Sequence, residues 1–296
     1  MIKLNEWQAQ GKFVELNGYK IFTCERGNPT APTLLLIHGY PSASWDWESM
    51  WHELIQHYHV ITLDMLGFGL SEKPKDIEYL ITLQADIYTA FLAALNITSY
   101  HILAHDYGDT VTQELLARQI DGDNNQAKID SICFLNGGLF PETHKPVLIQ
   151  RLLLSPIGFL ISKFSTKEKL SKNLHRIFGQ STPPSTEVVD TLWALLLVND
   201  GRAVMHKLIH YIIQRRENRT RWVGAIINAN IPIKLIAGVQ DPISGGHMIK
   251  HYRKLMPNAN VTELQELGHY PQIEDANAVI HAYLQFRQEI VPLSAD

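Results

Sequence analysis

The chain has 296 residues, 45% of them hydrophobic, and a net charge of −4. This length and composition allow one domain with a large core and an inserted subdomain. The slightly acidic balance gives no indication of nucleic acid or an anionic membrane as a general partner. The two cysteines, Cys24 and Cys133, lie far apart and predict isolated thiols in a reducing compartment. Because the N-terminus lacks an apolar signal core and no apolar run is long enough for a bilayer, we expect a cytoplasmic protein without a membrane span.

The first half of the chain alternates short apolar runs with segments of helical periodicity. A hairpin signal, Asn17-Gly18, joins two predicted strands at 13–16 and 20–24. Further strands are predicted, with helices between them, at residues 33–37, 60–63, 100–104 and 129–135. This alternation predicts a mostly parallel central sheet with helices on both faces.

The pattern changes after the strand at 129–135. From residue 139 to 229 only helices and loops are predicted, and strands resume at 233–237 and 261–264. The sequence therefore predicts a core domain formed by 1–138 and 230–296, interrupted by a helical cap at 139–229. Such a cap is well placed to cover a site at the carboxyl ends of the strands. The apolar character of 152–160 and 192–198 predicts a hydrophobic pocket on its inner face, with Trp193 as a substrate contact.

The most informative stretch runs from Ile102 to Asp109. An apolar strand ends at His105, Asp106 follows, and Gly108 precedes a helix. This is the layout of a strand–turn–helix elbow that presents a nucleophile, which is serine in the better-known version. A carboxylate at this position suits displacement at an alkyl carbon, such as that of an epoxide or a halide, and gives an alkyl-enzyme ester. At an ester carbonyl it would form a mixed anhydride, which is a poor intermediate.

Two more candidates follow later strands, Asp241 and His269. The order nucleophile, acid, histidine is the chain order of the α/β-hydrolases. In this reading Asp106 attacks carbon, His269 activates the water that hydrolyses the ester, and Asp241 orients the imidazole. Glu142, which follows the strand at 129–135, is an alternative acid. The oxyanion donors are expected to be the backbone N–H groups of Tyr40 and Tyr107. Their side chains contact substrate or simply pack.

The remaining polar residues have structural explanations. We expect His38 and His105 to hold loops, Asp64 to fix its own glycine turn, and Asp109 to sit in a first helical turn. His206 and His210 are four residues apart on a predicted helix, but no third metal ligand is apparent. A basic helical run is expected to form a solvated face rather than a nucleic-acid site; it consists of Arg215, Arg216, Arg219 and Arg221.

These motifs resemble those of α/β-hydrolases with an aspartate nucleophile, the epoxide hydrolases and haloalkane dehalogenases. The match rests on His38-Gly39-Tyr40-Pro41, Asp64-x-x-Gly67-x-Gly69-x-Ser71, His105-Asp106-Tyr107-Gly108 and Gly268-His269. A narrower resemblance is to the group of the mesoderm-specific transcript protein and its bacterial relatives. It rests on the strings at 105–109, 136–144, 199–201 and 221–225. The resemblance implies the α/β-hydrolase fold with a helical cap between the sixth and seventh strands.

The departures from this family pattern bear on the reaction. Dehalogenases generally hold the halide with tryptophan after the nucleophile and often asparagine after His-Gly, where this chain has Tyr107 and Tyr40. Epoxide hydrolases usually use two cap tyrosines as proton donors, and Tyr211 is the candidate here. We therefore expect an epoxide hydrolase-like enzyme that converts a small hydrophobic epoxide and water to a diol, with no metal or organic cofactor. The alternatives are a dehalogenase-like or other α/β-hydrolase activity, and a non-catalytic scaffold that binds a small molecule or a protein.

Overall fold

The computed structural model describes residues 2–123 and 127–290. Eight strands form one sheet, and all eight predicted strands are present within two residues of the expected bounds. In chain order they are β1 (Gly11–Leu16), β2 (Tyr19–Arg26), β3 (Thr33–Ile37), β4 (His59–Leu63), β5 (Ser99–Ala104), β6 (Lys128–Phe134), β7 (Ile233–Gly238) and β8 (Asn260–Leu264).

The sheet has the strand order β1-β2-β4-β3-β5-β6-β7-β8. Strand β2 pairs antiparallel with both β1 and β4, whereas β3 to β8 run parallel to one another. Every residue of β3 is buried, as expected when helices cover both faces. Leu34 and Leu36 join the core cluster on one face, whereas Leu35 and Ile37 join the cluster on the other. The alternation of side chains along β3 thus contributes to two cores.

Fourteen α-helices accompany this sheet in the described residues. They are α1 (Leu4–Gln10), α2 (Glu48–His57), α3 (Ile81–Ala94), α4 (Tyr107–Ile120), α5 (Leu148–Leu153), α6 (Gly158–Lys163), α7 (Lys167–Ile177), α8 (Thr186–Leu197), α9 (Met205–Leu208), α10 (Tyr211–Glu217), α11 (Arg219–Ile227), α12 (Gly246–Leu255), α13 (Pro271–Glu274) and α14 (Ala276–Ile290). The sequence analysis missed α1, which is short and buries only Trp7. None of the helices in 2–123 and 127–290 is both long and apolar enough to cross a bilayer.

Helices α5 to α11 lie between β6 and β7, and this stretch of the chain is free of strands. Among these helices, α11 packs along α4 in the core. There the Trp222 indole donates a hydrogen bond to Glu114 Oε2 over 2.7 Å, and Arg221 forms an ion pair with the same carboxylate. The C-terminal end of the predicted cap segment therefore attaches to the core rather than covering the site.

Candidate active site

Asp106 stands at a sharp turn between β5 and α4. Its backbone has φ of 50° and ψ of −104°, a strained conformation that residues other than glycine rarely adopt. Neighbouring glycines allow the close packing that this turn requires. A Cβ on Gly108 would lie 2.4 Å from the Ile37 carbonyl oxygen, and one on Gly39 would lie 2.9 Å from the Asp106 Cβ. The elbow thus brings β5, β3 and α4 together under the Asp106 carboxylate.

The Asp106 carboxylate is almost fully buried and accepts hydrogen bonds from two directions. The backbone N–H of Tyr40 donates to Oδ2 over 3.0 Å, as expected for an oxyanion-hole donor. The phenol of Tyr211, from α10, donates to Oδ1 over 3.1 Å. Burial and the charge of Asp106 raise the pKa of Tyr211 well above its usual range, so the phenol keeps its proton.

Tyr211 is held by its neighbours. Its ring lies 4.7 Å from that of Tyr107, and the Arg215 guanidinium lies 4.5 Å from its centre. Arg215 is buried, so the prediction of a solvated basic face is wrong for this residue. The reason is helical geometry, because Arg215 follows Tyr211 by four residues and shares its inward face. The Tyr107 side chain is also fully buried and does not line the active-site cavity, which contradicts its expected substrate contact.

Arg215 approaches Asp109, the third residue of α4, across a glycine pair. A Cβ on Gly138 would lie 1.7 Å from an Arg215 nitrogen, and one on Gly137 would lie 2.0 Å from Asp109 Oδ2. Burial and the charge of Asp106 raise the pKa of Asp109, and the charge of Arg215 opposes them. Asp109 occupies the first helical turn as expected, but its buried position facing Arg215 was not predicted.

Asp241 and His269 form a hydrogen-bonded pair in which His269 Nδ1 and Asp241 Oδ2 are 2.8 Å apart. Three further donors hold the Asp241 carboxylate. The backbone N–H of Ile243 donates to Oδ1 over 2.7 Å, and Ser244 Oγ and Asn136 Nδ2 donate to Oδ2 over 2.6 and 3.1 Å. Asn136 and Ser244 were not predicted as site residues, although Asn136 lies two residues beyond β6 and Ser244 lies three residues after Asp241.

The electrostatics of the pair favour a charged imidazole in the resting protein. Burial alone would lower the pKa of His269, but the charge and hydrogen bond of Asp241 and the charge of Asp106 raise it above its ordinary value. For Asp241, burial opposes ionisation, and the charge and hydrogen bond of His269 overcome it and lower the pKa. Both groups are therefore charged near neutral pH while Asp106 is a carboxylate.

The loop that carries His269 is bonded to α7. The backbone N–H of His269 donates to the Ile177 carbonyl oxygen over 2.7 Å. Glu274 accepts hydrogen bonds from the backbone N–H groups of Gly268 and Tyr270, and also from that of Gly179, just beyond α7. The segment between β6 and β7 thereby helps to position the histidine.

The other predicted loop-holding residues are buried. His105 donates from Nε2 to the His269 carbonyl oxygen over 2.7 Å, and its neutral form fits its pKa, which burial and His269 lower. His38 Nε2 accepts the backbone N–H of Met65 over 3.0 Å. Asp64 accepts the backbone N–H groups of Ser44 and Leu70 over 2.8 and 2.6 Å. These bonds fix the loops around the elbow.

Glu142, the alternative acid, lies in another environment. Its carboxylate forms a two-pronged ion pair with Arg219, with N–O distances of 3.0 and 2.6 Å, and also bonds His251. The Arg219 guanidinium lowers the pKa of Glu142 to about 2. It therefore serves a surface ion pair, whereas Asp241 is the acid that contacts His269.

A cavity of about 110 Å³ contains both Asp106 and His269. Its walls are mainly apolar and come from the start of α5, from α7 and from the loops after β3 and β7. Gln150, Asn173 and Arg176 also belong to its lining, and so does Tyr40, whose contact with substrate stays a prediction. The space is small compared with the range of about 300–1,000 Å³ for drug-sized ligands, so it suits a compact substrate.

The predicted apolar cap segments contribute little to this cavity. Of residues 152–160 and 192–198, only Leu153 lines it. Trp193 lines an adjoining groove of about 280 Å³ that shares Leu153 with this cavity, so its contact with substrate stays a prediction. The apolar composition of these segments was evident, but their orientation depends on how short helices pack on one another. His206 and His210 line a different surface groove, and the described residues hold no cluster of three metal-ligating side chains.

The fold and the ordered set of Asp106, Asp241 and His269 at strand ends define an α/β-hydrolase. A family model described as alpha/beta hydrolase fold matches residues 32–276, and the chain belongs to this family.

Among curated proteins, the mesoderm-specific transcript homolog protein of Bos taurus is 41% identical over 297 residues, covering 96% of this chain and 87% of that protein. A Mycobacterium tuberculosis protein named as the hydrolase LipZ is 35% identical, covering 95% of this chain and 96% of its own. These relatives bear out the narrower resemblance seen in the sequence. Among solved structures, a haloalkane dehalogenase DbeA loop variant from Bradyrhizobium elkanii has a TM-score of 0.79 at 20% identity, covering 97% of this chain and 99% of that one. At that identity it shows the shared fold.

Proposed function

We propose that this hydrolase acts through a covalent ester on Asp106, with a small apolar epoxide as the preferred substrate and a diol as the product. The observation that carries the proposal is the setting of the Asp106 carboxylate. It shares one apolar cavity with the His269–Asp241 pair and already accepts the Tyr40 backbone N–H. A serine hydrolase would present a hydroxyl at this elbow position, whereas a carboxylate suits attack at an alkyl carbon.

The first step opens the ring. An Asp106 oxygen attacks an epoxide carbon, the carbon–oxygen bond of the ring breaks, and its electron pair goes to the epoxide oxygen, which takes up a proton. In the second step His269 removes a proton from water, and the resulting hydroxide attacks the carboxyl carbon of the ester. The Tyr40 N–H stabilises the oxyanion, the ester bond breaks, and the departing alkoxide takes the proton from His269 to give the diol. The Asp106 carboxylic acid left behind releases its proton to solvent, which restores the carboxylate and offsets the proton taken up by the epoxide oxygen.

The charges of the site suit this order. While Asp106 is ionised, its charge helps to keep His269 protonated. Ester formation removes that charge, so the pKa of His269 falls, the imidazolium releases its proton to solvent, and the neutral imidazole becomes available as a base. The base is therefore activated when the ester is present, since the opposing effect of burial then weighs more heavily.

Tyr211 is the candidate proton donor for ring opening. Tyr211 donates to the Asp106 carboxylate and does not line the cavity in this structure. Backside displacement places the leaving oxygen on the far side of the attacked carbon, so Tyr211 must shift toward the substrate to protonate it. If it does not shift, its role is to hold the nucleophile.

Dehalogenation is the second candidate reaction. It is disfavoured by tyrosine at positions 40 and 107, where indole or amide N–H groups would hold a halide. The observation in its favour is a pair of amides, Gln150 and Asn173, in the cavity lining, because amide N–H groups can stabilise a departing halide. A pure binding scaffold would have no need for the four hydrogen bonds that hold Asp241.

The test is to trap the ester. His269→Ala is incubated with short epoxides and 1-haloalkanes, and peptides are analysed by mass spectrometry. We expect an adduct on the peptide containing Asp106, with epoxides reacting fastest.

In a single turnover of the unaltered enzyme in ¹⁸O-water, the label should enter the Asp106 carboxylate, because water attacks the carboxyl carbon. Label found only in the product would refute the ester mechanism.

A second experiment assigns Tyr211. Tyr211→Phe is compared with the unaltered enzyme on a matched epoxide and alkyl bromide. A halide leaves without a proton, so a proton-donor role predicts that ring opening slows about a hundredfold while bromide displacement changes little. Equal slowing of both reactions would contradict that role and assign Tyr211 to positioning Asp106.

A further inference from the structure

The start of the segment between β6 and β7 exposes apolar side chains in an unusual concentration. Among the described residues, eleven large hydrophobic side chains are exposed, and five of them fall within 148–164. They are Leu148 at 66% exposure, Ile157 at 51%, Phe159 at 52%, Leu160 at 39% and Phe164 at 63%. The others are scattered over six separate elements or loops. A contiguous exposed apolar patch marks an interaction surface rather than ordinary surface variation.

Three of these side chains, Leu148, Leu160 and Phe164, line two adjoining depressions. Leu160 and Phe164 line the same groove as Lys169. That groove shares Ile149 and Leu153, among other residues, with the cavity that contains Asp106, and the exposed Leu148 lines that cavity. We name the exposed surface of residues 148–169 the cap face. It lies beside the active-site cavity.

The charge around the cap face is the opposite of that of the whole chain. Seven of the 26 lysines and arginines lie between positions 145 and 176, but only one of the 30 carboxylates does, Glu168. Lys145, Arg151, Lys163, Lys169, Lys172 and Arg176 are exposed, and Lys167 is paired with Asp190. Lys163 follows Phe159 by four residues on α6, so a lysine and an aromatic ring share one side of this helix.

We propose that the cap face docks on the surface of an anionic phospholipid bilayer. Exposed aromatic and aliphatic side chains flanked by lysines are the pattern of an interfacial membrane contact, in which rings enter the headgroup region and cations meet lipid phosphates. A protein partner fits less well, because lysine is depleted in protein–protein interfaces. The acidic remainder of the chain is repelled by the same surface, which orients the molecule with the cap face toward the lipid.

This docking does not depend on the reaction at Asp106, but it has a consequence for access. Leu148 belongs both to the cap face and to the cavity lining. A docked membrane therefore lies beside the cavity, and an apolar substrate dissolved in the bilayer has a short path to it.

The test is sedimentation of the full-length protein with sucrose-loaded vesicles. Vesicles of phosphatidylglycerol and phosphatidylcholine in equal amounts are compared with pure phosphatidylcholine, at low and high salt. We expect at least tenfold stronger partitioning onto the anionic vesicles, weakened by salt. Phe159→Ser/Phe164→Ser should reduce it at least tenfold. Lys163→Glu/Lys169→Glu should reduce it by about fivefold for each lysine removed.

Matched controls separate this face from general surface effects. Ile120→Ser/Ile227→Ser removes equally exposed apolar side chains elsewhere, and Lys250→Glu/Lys254→Glu reverses exposed charges on α12. Both control proteins should bind like the unaltered one, with unchanged circular dichroism in all variants. The proposal is overturned if the protein ignores anionic vesicles, or if the controls lose as much binding as the cap-face variants. It also fails if the cap-face variants alter only self-association in analytical ultracentrifugation, which would indicate a second copy as the partner.

Discussion

The loops at the carboxyl edge of the sheet bury charged side chains, whereas the first helices between β6 and β7 expose apolar ones. In the loops, charged side chains are buried and bonded. Asp64 and Asp241 each accept at least two backbone or side-chain donors. In the first cap helices, large apolar side chains such as Phe159 and Phe164 are exposed. Polarity alone therefore does not decide which side chains are buried in this molecule. Charged groups are buried where hydrogen-bond donors surround them, and the exposed apolar groups lie on the face that we propose docks on lipid.

Asp106, the proposed nucleophile, is the buried charged group whose replacement should have the largest effect. Asp106→Asn keeps a residue that tolerates the positive φ but cannot displace a leaving group as a carboxylate can. We expect turnover to fall by about 10⁴-fold or more with little change in unfolding temperature. Glu142→Gln is the matched control, because it changes a carboxylate that only serves a surface ion pair. Retained turnover in Asp106→Asn would remove the basis for the aspartyl mechanism.

The next largest effect concerns the acid partner of His269. Asp241→Asn should slow ester hydrolysis by about 10³-fold or more, because the imidazole loses the group that fixes its tautomer.

In the unaltered enzyme, hydrolysis of the ester should become faster as the pH rises, until His269 is neutral. The midpoint should lie below the pKa of His269 in the resting enzyme, since Asp106 carries no charge in the ester. Rapid-quench measurement of ester decay from pH 5 to 10, with NMR titration of the resting histidine, checks both. A midpoint at or above the resting pKa would contradict the proposed activation.

The basic run on α10 and α11 contains both a buried arginine, Arg215, and an exposed one, Arg216. Arg215→Met removes a buried guanidinium that stacks on Tyr211 and faces Asp109. We expect the free energy of unfolding to fall by about 2 kcal/mol, because the buried cation–π contact with Tyr211 is lost. Arg216→Met, one residue away but exposed, should change it by less than about 0.5 kcal/mol. Urea denaturation measures both. Combining Arg215→Met with Asp109→Asn should cost less than the sum of the single changes, because the two groups interact; strict additivity would disprove that interaction.

The smallest expected effect compares two leucines of the cap helices. Leu153 is buried in the cavity wall, whereas Leu160 is exposed on the cap face. Leu153→Ala should lower the free energy of unfolding by about 2 kcal/mol, and Leu160→Ala by less than about 1 kcal/mol. Thermal unfolding resolves the difference. Equal losses would mean that Leu160 supports the fold and would weaken its assignment to a docking surface.

The sequence was sufficient for the sheet and the elbow because their signals are local. The strand at 33–37 was predicted to the residue, since a wholly apolar run between a Pro-rich loop and His38-Gly39 has few alternatives. Asp106, Asp241 and His269 were recognisable because each lies in the loop that follows a strand, within five residues of its end. The orientations of Trp193, Tyr107 and Arg215 were not predictable, because each depends on which face of a helix meets another element. The same limitation applies to the charge of the cap face, which the net charge of −4 conceals.

The hydrogen bond from the His269 backbone to the Ile177 carbonyl limits how the segment between β6 and β7 can be exchanged for that of another protein. Caps of α/β-hydrolases are attractive units to exchange when a new specificity is wanted. In this chain the end of α7 supplies one of the bonds that hold His269, the proposed base, and Glu274 bonds Gly179 to the same loop. A transplanted cap must therefore reproduce a carbonyl at this point. A chimera that matches only the substrate walls would inherit a new pocket together with a misaligned base.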